Sequence, residues 1–196
     1  MRKIILSVIL ITILVLSVFS IYLFPESTVL GAHVVDLKLD TGDTAWMMMA
    51  TGLVLLMTPG LGFFYGGMVG KKNVISTVLQ SFMAMVIVTV LWVVVGFGLC
   101  FGPSIGGFIG DPSSNMFFQG VSANTAWELA PTIPFILFAL FQAKFAIITP
   151  ALITGAFAER VRFWAYLLFM VLFILFVYAP LCHMTWHPDG LFFGWG

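Results

Sequence analysis

The residues best suited to chemistry are aromatic. Phe135, Phe138, Phe141 and Phe145 recur at helical spacing, and Phe141 and Phe145, four positions apart, share one face of a helix. Trp186 lies further along the chain, just past the last long apolar stretch. The face of an aromatic ring attracts a small cation, so this set could bind one. Packing or lipid contact is the simpler account of a Phe stripe when periodicity is the only guide. An interfacial anchor is likewise the simpler account of a Trp at a membrane boundary, and the same holds for Trp92, Trp164 and Trp195. Polar groups at membrane depth are costly and mark places to look for function. Here they are Gln80, Gln142, Lys144, Thr149 and Thr154. Lys144 could snorkel, pair at a subunit contact or line a polar cavity.

Other constellations do not form. Gly60-x-Gly62-x-x-x-Gly66 misses the dinucleotide fingerprint by one residue and follows no strand. Close helix packing explains these glycines better. His33, His183 and His187 show no metal-ligand spacing, so no metal is expected. Cys100 and Cys182 both fall near span ends on one side, where free thiols or a disulfide are open readings. No nucleophile, catalytic triad or cofactor loop stands out. The expectation is a protein that is not an enzyme, has no catalytic residues and uses no cofactor.

The elements that position the aromatics follow from composition. The chain has 196 residues, 61% of them hydrophobic and only 8% charged, with eight basic residues balancing eight acidic ones. That excludes a soluble enzyme and leaves no basic footprint for nucleic acid. A membrane helix needs roughly 20 apolar residues. Four stretches qualify after the first: about 44–69, 74–101, 131–158 and 163–182. A β-barrel would instead show short alternating strands. The expected fold class is an all-α integral membrane protein, a polytopic helix bundle. Residues 1–32 read as a signal peptide, with cleavage near Ala32; a retained signal anchor is the alternative. The remainder, 33–196, reads as membrane domain.

Lys71 and Lys72 separate the first and second spans, and Arg160 and Arg162 the third and fourth. The segment 102–130 has no Lys or Arg. The positive-inside rule then puts both basic turns in the cytoplasm and starts the first mature helix outside. The expected location is the cell (inner or plasma) membrane, crossed several times. The 102–130 segment reads as a surface loop, with a short helix over 125–129.

Several motifs resemble the ammonium transporters of the Amt/MEP/Rh type. Met57-Thr-Pro-Gly-Leu-Gly-Phe-Phe-Tyr-Gly-Gly67 and Gly70-Lys-Lys-Asn-Val74 resemble that family's first helix and first cytoplasmic turn. Phe141-Gln-Ala-Lys-Phe-Ala-Ile-Ile-Thr-Pro-Ala151 resembles its third helix, and Gly155-Ala-Phe-Ala-Glu-Arg-Val-Arg-Phe163 the turn that follows. His183-Met-Thr-Trp186 resembles the start of its fifth segment. The resemblance implies an eleven-helix fold of two inverted halves, assembled as a homotrimer, with one narrow pore per subunit. The first four to five helices would be present here.

By the same resemblance, Trp186 and Phe141 border an external ammonium recruitment site, and Phe145 is the outer of two gate Phe residues. The substrate would be ammonium or ammonia, and the cytoplasmic face could bind a PII-type regulatory protein. A sensor role for the same membrane domain is the rival reading. A third is a non-conducting fragment, because the family's two pore histidines would lie beyond Gly196 and the chain looks truncated. Lys144 stands where many relatives carry a small or apolar residue. His187-Pro188-Asp189 replaces a glycine run seen in some members.

Overall fold

The computed structural model describes residues 33–195. The expected signal peptide, 1–32, lies outside the described residues. Four long apolar helices dominate: α1 Thr41–Met68, α2 Val74–Phe101, α3 Phe135–Phe157 and α4 Phe163–Trp186. Each is long enough to span a bilayer core. Short turns join α1 to α2 and α3 to α4, so each pair is antiparallel. One end of the bundle carries Lys71, Lys72, Arg160 and Arg162 in those turns; the other carries the 102–130 segment and Trp186.

Local sequence explains the helix limits. The Asp40 carboxylate caps α1 by accepting from the Asp43 amide at 2.9 Å. At the start of α3, Pro131 and Pro134 hold the chain off the helix, which begins at Phe135. The α4 helix runs on through His183 to Trp186, so Trp186 is its last residue rather than a residue beyond it. Two wide turns interrupt the regular α pattern: Trp92–Gly96 in α2 and Ile174–Tyr178 in α4. The indole N–H of Trp92 donates to the Ala139 carbonyl in α3 at 3.1 Å, a buried bond between helices.

Small residues set the α1–α2 contact. A Cβ added at Gly66 would lie 2.9 Å from Val78, and one at Gly62 would lie 3.2 Å from Ser81. Gly60 and Gly67 face open space. Close packing therefore accounts for Gly62 and Gly66 but not for Gly60 or Gly67.

At the basic end, Glu159 ties the two turns together. Its carboxylate accepts from the Gly70 amide at 2.8 Å and from the Asn73 side-chain amide at 3.0 Å. These hydrogen bonds, from Asn73 first and then Gly70, hold the Glu159 carboxyl below its ordinary pKa. Glu159 takes a left-handed backbone, with φ of 65°.

At the other end, β1 (Val34–Asp36) pairs antiparallel with β4 (Thr125–Trp127), with Val34 opposite Trp127. The helix expected over 125–129 is thus a strand. Its main-chain groups pair with the segment before α1, which local sequence could not reveal. Between them, β2 (Ser104–Ile105) and β3 (Ile109–Gly110) form a small hairpin. Its turn uses Gly106 and Gly107 at positive φ.

The main core lies just beneath these strands. Trp127 stacks on Phe135 (ring centroids 5.8 Å, 6° apart in plane) and on Phe138 (5.7 Å, 15°). Phe97, Phe101 and Trp92 close the cluster edge to face.

Candidate functional site

The Phe stripe of α3 divides into two. Phe135 and Phe138 are buried in the Trp127 core, as the packing reading held. Phe141 and Phe145 are only half-buried and belong to a different group. Their rings meet edge to face at 5.0 Å and 76°. Phe145 then meets Trp186 edge to face at 6.2 Å and 86°. The three rings form a continuous row from α3 to the end of α4. Trp186 keeps 43% of its surface exposed, so the row opens at the end of the bundle opposite the basic turns.

One turn of α3 below this row, Thr149 donates to the Phe145 carbonyl at 2.7 Å. Its hydroxyl is therefore engaged with its own helix. Thr154 pairs with the Tyr166 hydroxyl at 2.8 Å in a buried contact. Gln142 and Gln80 each have a buried side-chain carbonyl oxygen with no hydrogen-bond partner among the described residues. Lys144 is half-buried on α3. Of the polar groups singled out by sequence, Gln142, Lys144, Thr149 and Thr154 thus sit on the helix that carries the ring row, and only Gln80 lies on another.

Beside Trp186 lies a polar cluster that spacing did not suggest. His33, the residue before β1, places Nδ1 2.5 Å from the Glu128 carboxylate and Nε2 2.8 Å from that of Asp189. His187 follows Trp186 directly and is fully buried. Its ring stacks on His183 at 4.4 Å and meets the His33 ring edge on at 4.9 Å. Burial, then repulsion from His183 and His33, lowers the His187 pKa to about 4, so its ring is neutral at pH 7. Burial works against a charge on His33, but its bonds to Asp189 and Glu128 outweigh that and raise its pKa. The bond from His33 in turn lowers the pKa of Asp189. The pairing of β1 with β4 brings His33 to Glu128, 95 positions away, and the turn after α4 brings Asp189, 156 positions away. The one sequence clue was His187-Pro188-Asp189, noted as a departure from a glycine run.

Cys100 and Cys182 are both buried and free.

Four apolar helices with an aromatic mouth at one end define a polytopic helical membrane protein. The Ammonium Transporter Family model matches residues 45–196, and the chain belongs to that family. An ammonium transporter of Mycobacterium tuberculosis (strain H37Rv) is 46% identical over 164 residues, which cover 77% of this chain and 34% of that protein. Among solved structures, Mep2 of Candida albicans is 30% identical with a TM-score of 0.71, covering 81% of this chain and 34% of that one. A structure titled Sensor Amt Protein is also 30% identical, with a TM-score of 0.64, covering 72% of this chain and 33% of that one. The chain thus spans about a third of the length of the relatives it matches.

Proposed function

We propose that this chain is the amino-terminal part of a membrane domain that takes up ammonium at Trp186 and admits it past Phe145. The observation that carries this reading is the ring row Phe141–Phe145–Trp186. Ammonium is a compact cation, and the exposed indole of Trp186 offers it a face. Phe141 lines the same approach. Phe145, which touches both rings, forms the apolar constriction behind them. Such a constriction resists strongly hydrated ions. The basic turns favour a cytoplasmic position for Lys71, Lys72, Arg160 and Arg162, which puts the ring row on the outer face. Assembly as a homotrimer, and a PII-type partner at the basic face, accompany this reading.

The test is methylammonium uptake by the full-length protein with Trp186→Leu. The expected result is weaker capture, seen as a raised KM. Unchanged uptake kinetics would remove Trp186 from the recruitment site. A sensor function for the same domain is favoured by the likeness to the sensor Amt structure. It would show as ammonium-dependent signalling without net uptake.

A further inference from the structure

We propose that His33, His187 and Asp189 form a binding site for a divalent transition metal of the zinc class, with Glu128 orienting His33. The site goes beyond ammonium transport and does not depend on it.

One potential ligand atom from each of His33, His187 and Asp189 lies within 4.8 Å of the others. Two imidazoles and a carboxylate are a donor set suited to zinc and its neighbours rather than to calcium or magnesium. His33 Nε2 and the nearer Asp189 oxygen are 2.8 Å apart. Two ligands sharing a tetrahedral zinc lie roughly 3.3 Å apart, given metal–ligand distances of about 2.0–2.2 Å. These two need only spread slightly, while His187 closes in.

The second observation is His187 itself. It is fully buried, and its Nε2 has no hydrogen-bond partner among the described residues. A buried ring nitrogen without a partner is costly unless something binds it. Its Nδ1 accepts from the Asp189 amide at 3.1 Å. Ligation through Nε2 moves the ring proton to Nδ1 and gives up that one bond.

The surroundings supply what a metal site needs around its ligands. Glu128 holds His33 Nδ1 at 2.5 Å, the carboxylate–histidine arrangement that orients a ligating imidazole. His183 is committed elsewhere, to the Cys100 carbonyl and the Ser104 hydroxyl, both at 2.9 Å. It serves as a stacking platform for His187, not as a ligand. Trp127 walls the site from within, 5.8 Å from the His33 ring and 5.6 Å from that of His187. Asp189 is more than half exposed, which leaves an entry path and room for a water ligand. A bound metal would fasten β1 to the turn directly after Trp186.

The test is zinc titration of the full-length protein, purified in detergent and stripped with a chelator, in competition with a chromophoric chelator at pH 7. One zinc per chain is expected. Glu128→Gln keeps all three ligands and should weaken binding roughly 10- to 100-fold. His187→Gln should abolish it. Cobalt added to the unmutated protein should give the visible absorption of a low-coordinate site, a readout that no variant's folding can confuse. Three results would overturn the proposal: no zinc bound by the unmutated protein, equal binding by His187→Gln, or a purely octahedral cobalt spectrum.

Discussion

Phe145 stands edge on to Trp186, ring centroids 6.2 Å apart at 86°, and joins the middle of one apolar helix to the end of the next. Each ring therefore fixes the other's orientation. Replacing Phe145 by Ala removes the support for the indole and, on the proposed function, the constriction behind it. In full-length protein, the expected outcome is two-fold in kind. Discrimination between ammonium and potassium falls, and the KM for methylammonium rises. Loss of a partly desolvated cation–π contact of about 0.5–2 kcal/mol corresponds to a rise of roughly 2- to 30-fold. Electrophysiology with both ions measures the first effect and labelled uptake the second. Selectivity unchanged from the unmutated protein would place the gate elsewhere.

The two α1 glycines that differ in their surroundings make a paired test. A Cβ at Gly66 would press into Val78 at 2.9 Å, whereas Gly67 has open space beside it. Gly66→Ala should destabilise by about 1–3 kcal/mol through overpacking. Gly67→Ala should be neutral or slightly stabilising, because alanine favours the helix. Thermal unfolding of the two variants in the same detergent reads the difference. Equal effects would show that helix propensity, not the α1–α2 contact, governs this stretch.

The four helices were legible because charge is so scarce that its positions mark their ends. The aromatic stripe was legible only in part. Its spacing placed Phe135, Phe138, Phe141 and Phe145 near one another, but Trp127 decides which of them pack. That residue lies in a strand whose partner precedes α1. For the same reason 125–129 read as helix: a three-residue strand paired at long range leaves no local period. The His33 cluster was hidden for a related reason, since metal-site patterns depend on short spacings and this one spans most of the chain.

Trp127 should accordingly be the most sensitive core position at this end. It is buried, stacks on two Phe rings and meets Phe101 edge to face. Trp127→Ala should cost about 3–5 kcal/mol, the range for deleting a large buried aromatic. Trp127→Phe should recover much of that. A marked drop in unfolding temperature for the first variant and a small one for the second are the expected results. Equal drops would mean that the β1–β4 pairing, rather than the ring stack, holds this end together.

The Glu159 tie should respond to pH in a defined direction. Its carboxylate binds Gly70 and Asn73 only as an acceptor, and those bonds lower its pKa below the ordinary 4.5. A lowered folded pKa means stabilisation that is fully present above pH 4.5 and lost as pH falls through the folded value. Hydrogen exchange at the Gly70 amide should therefore be slow at neutral pH and speed up beyond the ordinary pH trend only below that range. Glu159→Gln keeps an acceptor oxygen but no charge, so it should show faster exchange at neutral pH and no such acid step. Glu159→Gly adds a separate measure. It removes the tie but relieves the left-handed backbone at φ 65°, so its global stability should fall less than that of Glu159→Ala, which loses the tie and keeps the strain. If the Gly70 amide in the unmutated protein exchanges with no acid step, the carboxylate is not what holds the two turns together.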